Sequence, residues 1–462
     1  MPETFSDASA TFDRSVAPVN PAPIRAAFPK AIEHALPNGL KIYFHVQRES
    51  PLVNVRLYVR AGSVLEGDAL KAASFAFALL PHGTLRRSAK EIADEIEFLG
   101  ADLSSSASLD FGSVSLSMMS KHLAKGLELF ADVALNPSFP ESEVEFARQQ
   151  SLSRLRFAKA DAATLASEVF NHLIYAPHPY GNPTLGTVKS LNALTRAQIA
   201  SFYETYFRPN RAFITVAGDF DPEPTWALLE TLFGKWQARE VEEPTFEPPK
   251  PPSERRVVIV QKDGAAQSVL NIGHLAIPRR HDDFIPLYVG NMILGGYFGS
   301  RLNMNLREKQ GFAYGIRSNF DAMRLAGDFN VATQVRTDVT GAAIEQILLE
   351  IDRLLNEGIS EKELAAAKRY VAGNFVIQNE SPSSIAIRLA NVEIYDLPKS
   401  YYDDYIDAIN ALERQTVEDA MRRHLRPESF LFVIAGESQA VRAQAERFGV
   451  ASVQDAEGNF IA

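Results

Sequence analysis

Two segments of this chain repeat one another at a nearly constant distance. Leu194 opens LTRAQIASFYETYFRPNRAFITVAGD, and Leu412 opens LERQTVEDAMRRHLRPESFLFVIAGE. Arg208-Pro209 recurs as Arg426-Pro427 and Ala217-Gly218 as Ala435-Gly436, an offset of 426 − 208 = 218 residues. In both copies a helical pattern ends at Arg-Pro and an apolar run stops at Gly. Proline cannot continue the helix, and the β-branched run prefers a pleated surface. A second echo sets the helical pattern from Phe139 (FPESEVEFARQQSLSRL) against that from Ile359 (ISEKELAAAKRYVAGNF), at 359 − 139 = 220 residues. A duplication of this length predicts two units of the same architecture.

The boundaries follow from composition. Residues 1–30 are rich in Ala, Pro and Ser without period and read as an extended arm. Residues 240–255 carry Pro244, Pro248, Pro249, Pro251 and Pro252, which favour extended, semi-rigid chain and mark a linker. The two units are then residues 31–239 and 256–462. Val53–Val59, Ser113–Ser117 and Val257–Gln261 read as strands. Ser88-Ala-Lys-Glu91 is a capping box, Ile92, Ile96 and Leu99 line one face of the helix it opens, and Gly100 stands where a C-cap belongs. Helices following hairpin-like strands predict an α+β fold: two homologous α/β-sandwich domains with helices packed on mostly antiparallel sheets.

The chain of 462 residues has no cysteine, which excludes disulfides, thiol catalysis, Cys-ligated zinc and iron–sulfur clusters. Its net charge of −10 without a basic stripe argues against nucleic acid as a partner. No apolar run approaches the roughly 20 residues of a membrane span, and Met1–Val19 has no signal-peptide core. The compartment is therefore open: cytoplasmic, or periplasmic if a leader has been removed. Any transition-metal site must use some of the nine histidines. His82 reads as a turn residue. His172 and His178 lack ligand spacing, and His45, His122, His274, His281 and His424 are isolated along the chain.

Three blocks resemble a known family. AGSVLEGDALKAASFAFALLPHGTLRRSAKEIADEIEFLGADLS (Ala61 to Ser104) looks like the first zinc-site region of pitrilysin/insulinase-like, processing-peptidase-like metallopeptidases. HPYGNPTLGTVKSLNALTRAQIASFYETYFRPNRAFITVAGDF (His178 to Phe220) is similar to the stretch closing that family's first domain. LGGYFGSRLNMNLREKQGFAYGIRSNF (Leu294 to Phe320) looks like its C-terminal-domain signature. The family's chemistry uses an inverted zinc motif, His-x-x-Glu-His, with a glutamate on a later helix as third ligand. Aligned on Gly83-Thr84, the motif positions hold Ser74, Phe77 and Ala78, and Arg154 falls about where the ligand glutamate belongs. A fixed cation opposes bound Zn²⁺. The resemblance therefore implies no zinc and no other cofactor in this chain.

The second signature is intact. Arg307 and Tyr314 stand where the family places an arginine–tyrosine pair. Taken alone, Arg307 reads as a solvated helix residue and Tyr314 as a half-buried strand residue. Phe298, Leu302 and Leu306 suggest an apolar helical stripe ending near Gly311, and Phe312, Tyr314, Ile316 and Phe320 suggest one face of the following strand. Leu294–Gly299 reads as a glycine-rich loop without the Lys and Ser/Thr of a phosphate loop. The resemblance implies that Arg307 and Tyr314 contact a scissile carbonyl or its oxyanion. It further implies a non-zinc subunit of a heteromeric peptidase acting on peptides, paired with a homologous subunit that carries zinc and intact His-x-x-Glu-His. The alternatives are a catalytically inactive scaffold of the same fold and a self-sufficient peptidase with a rebuilt metal site.

Overall fold

The computed structural model describes residues 22–250 and 252–455, with Gly458 and Ile461. Most of the N-terminal arm lies outside the described residues. Its last part, residues 22–30, has no helix or strand, and Phe28 is buried against Phe375 and Tyr402.

The first half runs β1 (Ile32–Ala35), β2 (Lys41–Val46), β3 (Leu52–Val59), α1 (Ala72–Ala78), α2 (Ala89–Leu99), β4 (Asp102–Ala107), β5 (Gly112–Met119), α3 (Leu123–Leu135), α4 (Glu141–Ala160), α5 (Ala162–Tyr175), α6 (Val188–Ala193), α7 (Arg196–Tyr206), β6 (Ala212–Gly218) and α8 (Pro222–Phe233). The second half runs β7 (Arg256–Gln261), β8 (Gln267–Ala276), α9 (Phe284–Asn291), β9 (Ala313–Ala322), β10 (Gly327–Arg336), α10 (Thr340–Asn356), α11 (Glu361–Gln378), α12 (Pro382–Ile394), α13 (Tyr405–Ala411), α14 (Arg414–His424), β11 (Leu431–Gly436), α15 (Ser438–Ala445) and β12 (Ala451–Gln454). The described stretches of residues 240–255 carry neither helix nor strand.

Each half builds one six-stranded sheet, ordered β1-β2-β6-β3-β5-β4 and β12-β7-β11-β8-β10-β9. Replacing β2, β6, β3, β5 and β4 by β7, β11, β8, β10 and β9 converts the first order into the second, so the duplication is one of topology. Only the outer strand differs: β1 pairs antiparallel with β2, whereas β12 pairs parallel with β7. Most neighbours in both sheets are antiparallel, and β2–β6 and β7–β11 are parallel.

The repeated FITVAG and LFVIAG runs are apolar throughout because β6 and β11 are interior strands covered on both faces. Ile214 and Val216 enter the first core while Phe213 points to the opposite face. Phe432 and Ile434 enter the second core while Leu431, Val433 and Ala435 point away from it.

The covering of those opposite faces is exchanged. α5 belongs to the first half, yet Leu165, Phe170 and Ile174 pack on Val258, Val260 and Val433 of the second sheet. α12 belongs to the second half, yet Ala390 and Ile394 pack on Tyr43, Tyr58 and Phe213 of the first. The two helices start 382 − 162 = 220 residues apart and are equivalent. Polar contacts lock both crossings. Tyr175 donates to Asp328 at 2.5 Å. Glu393 accepts from Lys41 at 2.9 Å and from the Tyr43 hydroxyl. Among the described residues, no helix is long and apolar enough to cross a membrane.

Candidate functional site

The arginine–tyrosine region rests on an irregular helix. After α9 the chain continues in π-type turns over Met292–Gly296, bends at 297–300, and resumes as helix from Arg301, with π-type turns over Asn303–Lys309. Wide turns of this kind recur at functional sites. Of Leu294–Gly299, which the glycines suggest is a loop, residues 294–296 are helical and residues 297–299 form the bend before the next helix. Those glycines serve close packing: a Cβ on Gly295 would stand 2.4 Å from Ser318 Oγ, and one on Gly296 would stand 2.3 Å from Met292 Cε. Buried asparagines tie the irregular helix to the next strand. Asn303 donates to the carbonyls of Tyr297 (3.2 Å) and Ile316 (2.8 Å). Asn291 donates to the Ser318 carbonyl (2.8 Å) and accepts from its hydroxyl (2.6 Å).

Arg307 and Tyr314 are brought together. The Arg307 guanidinium lies 5.0 Å from the centre of the Tyr314 ring and 4.6 Å from that of Phe298, with Glu308 3.3 Å from its Nε. Cation–π contact with two rings holds the guanidinium plane in place. Tyr314 is 90% exposed, and its hydroxyl has no hydrogen-bond partner among the described residues. Two expectations need correction here. Phe298 lies in the turn before the helix and does not extend the stripe of buried Leu302 and Leu306. Tyr314 does not share a face with buried Ile316. The β9–β10 register shifts between Thr333 and Val335, so Tyr314 and Gly315 together face one residue of β10. This bulge turns Tyr314 outward.

In the first half, the positions aligned with the zinc motif line a cavity of about 320 Å³ between α1 and α4. Ser74, Ala78 and Arg154 all face it, as do Lys71, His82 and Gln150. Phe77, at the position of the catalytic glutamate, does not; it is buried with its ring over Gly112, where an added Cβ would stand 2.2 Å from it. Lys71 donates to Ser74 Oγ (2.8 Å) and the Thr184 carbonyl (2.6 Å). Burial lowers the Lys71 pKa, and Glu66 and Glu168 partly oppose that shift. No lining residue is a carboxylate, and the side chains at 74, 78 and 154 offer a hydroxyl, a methyl and a cation. This donor set does not fit a zinc ion.

Sequence reasoning missed the buried asparagines, Phe298 as a ring over Arg307, and Lys71 in the cavity between α1 and α4. Asn291 and Asn303, spaced inside otherwise apolar helical sequence, were the available signal for the first. Nor are all the histidines isolated. His424 Nε2 lies 2.6 Å from Asp283, and the His281 ring stacks edge-on against His424 at 5.0 Å. Arg423 also pairs with Asp283, and His281 Nδ1 accepts the Asp283 N–H at 3.0 Å, so the group ties the end of α14 to the start of α9. Asp283 is held below the usual carboxylate range by its bonds to His424 and Arg423 against an opposing cost of burial.

Comparison with known proteins places the chain in one family. Residues 43–188 match the family described as insulinase (peptidase family M16), and residues 193–371 match the peptidase M16 inactive domain. An uncharacterized zinc protease of Mycobacterium tuberculosis is 26% identical over 407 residues, 87% of this chain and 92% of that protein. The solved M16 inactive domain from Pseudomonas fluorescens superposes with a TM-score of 0.83 at 29% identity, covering 88% of this chain and 98% of that one. The periplasmic protease PqqL of Escherichia coli shares the fold at TM-score 0.74 and 18% identity, over 92% of this chain but 49% of its own. With two M16 profiles end to end across both sheets, this chain belongs to the insulinase-like M16 peptidase family.

Proposed function

We propose that this chain is the non-zinc subunit of a two-subunit M16 metallopeptidase, and that Arg307 and Tyr314 bind the carbonyl of the peptide bond to be cut. The observation that carries this reading is the Arg307 guanidinium held between the rings of Phe298 and Tyr314 while the tyrosine hydroxyl stays exposed and unengaged. A guanidinium and a phenol are both donors to an oxygen that gains negative charge, and donors fixed before the reaction need no reorganisation during it. This chain holds no zinc of its own in the proposal; a homologous subunit with intact His-x-x-Glu-His supplies the metal. The fit of this chain to about half of a longer protease of the same fold supports such an arrangement.

The test mixes this chain with its zinc-bearing homologue and follows peptide cleavage. Arg307→Ala is expected to lower the rate by on the order of 10²–10³, the typical cost of losing one oxyanion donor. Tyr314→Phe is expected to lower it while leaving the complex assembled. A second reading, an inactive scaffold of the same fold, is favoured by the vacated zinc positions at Ser74, Ala78 and Arg154. Equal rates for wild type and Arg307→Ala would select the scaffold.

A further inference from the structure

The cavity at the positions aligned with the zinc motif combines apolar walls with charged and polar side chains. It contains no acid, and two cations face it. Arg154 is exposed on α4 and makes no ion pair or hydrogen bond among the described residues. Lys71 reaches the cavity from the other side through a costly arrangement. Its backbone is left-handed (φ 79°), a conformation that non-glycine residues adopt only at a cost. Glu66 maintains it by accepting the Lys71 N–H at 2.7 Å and the Ala73 N–H at 3.1 Å. The lysine stem lies against Gly186, where an added Cβ would stand 2.8 Å from Lys71 Cγ, and its ammonium is aimed by Ser74 and the Thr184 carbonyl. Where the family would hold a dication with acidic and imidazole ligands, this chain presents a fixed ammonium, a hydroxyl and an unengaged guanidinium.

We propose that this cavity binds the carboxylate of a ligand bearing a short apolar group, with Arg154 pairing the carboxylate and Lys71–Ser74 closing the opposite side. Charge sets the anion, since a pocket with cations and no carboxylate favours negative charge. The guanidinium fork matches a carboxylate in two parallel hydrogen bonds. The apolar walls set the rest: Phe75 and Phe146 line the same cavity, and its volume of about 320 Å³ admits a side chain of leucine size. The C-terminal residue of a peptide and a short fatty acid share this chemistry. The proposal does not rest on the role given to Arg307 and Tyr314.

The test titrates the full chain with N-acetylleucine, its neutral amide, hexanoate and inorganic phosphate, following binding by calorimetry. N-acetylleucine is expected to bind and its amide to bind at least about tenfold more weakly, the scale of one charged hydrogen bond. Arg154→Ala is expected to weaken the acid by a similar factor while melting like wild type, because the residue is exposed and unpaired. Arg154→Lys, which keeps the charge and loses the fork, should fall between. Binding of N-acetylleucine in preference to hexanoate supports a peptide end as the source, and the reverse supports a fatty acid. The proposal is overturned if acid and amide bind alike, if Arg154→Ala binds like wild type, or if phosphate alone shows the Arg154 dependence.

Discussion

Asp328, on β10, is buried inside the contact between the two halves, where it accepts the Tyr175 hydroxyl and stands across from Asp321 in the strand register. Burial raises its pKa to about 7; the Tyr175 hydrogen bond opposes the shift and Asp321 adds to it. An unfolded aspartate titrates near 3.9. Between those values the folded chain holds a proton that the unfolded chain has lost, so stability falls as pH rises from about 4 to 7 and levels off above. The ceiling of this effect is on the order of 4 kcal/mol. Asp328→Asn keeps an acceptor for Tyr175 and removes the charge. Its denaturation midpoint is expected to vary less than that of wild type between pH 5 and 8, and to match or exceed wild type at pH 8. Parallel pH profiles for the two would refute this assignment. Asp328 has no sequence signal of its own, because its partner lies 153 residues away. Arg307 and Tyr314 differ in this respect: they are seven positions apart, and the local motif carries both. Yet alternation alone put Tyr314 on the wrong face, because a one-residue bulge is a property of the strand pair and not of one strand.

At the scale of elements, the sequence was most legible where local chemistry decides. The Ser88 capping box is present with both of its hydrogen bonds, and Gly100 closes the helix in the left-handed conformation at φ 56°. The interior strands β6 and β11 were legible as apolar runs. What no local pattern reveals is the destination of α5. Its apolar face would suit either sheet, and it covers the second. Phe170 sits at 1% exposure in that contact. Phe170→Ala is expected to cost about 3–5 kcal/mol, the usual range for a buried aromatic truncated in a core. Because the ring bridges the halves, spectroscopic probes placed in the first and in the second sheet should report the loss at the same denaturant concentration. Loss confined to one sheet would sink the idea that α5 couples them.

For the whole molecule, the exchange of α5 and α12 makes the connecting segment the lesser of the links between the halves. Glu243 in that segment pairs with Arg211 at 3.1 Å and with Arg324 at 3.2 Å. Tyr180 donates to Asp110, and Asp110 in turn accepts the Arg324 N–H at 3.0 Å. A protease site inserted near Glu247–Lys250 and then cut is therefore expected to leave both pieces eluting together at the size of the intact chain. Separation of the pieces under native conditions would contradict the exchanged packing.

The amino-acid sequence by itself determined the duplication, the α+β class and the capped helices, and it carries Ser74, Ala78 and Arg154 at positions that align with the family's zinc ligands and Arg307 and Tyr314 at those of its arginine–tyrosine pair. Each of these is written in spacing or residue type within a single segment. The tertiary structure alone decided that Ser74, Ala78 and Arg154 share one cavity with Lys71, that Phe298 and Tyr314 enclose Arg307, and that each half covers the other's sheet. These depend on contacts between residues far apart in the chain, where packing and electrostatics choose among faces that local sequence leaves equivalent.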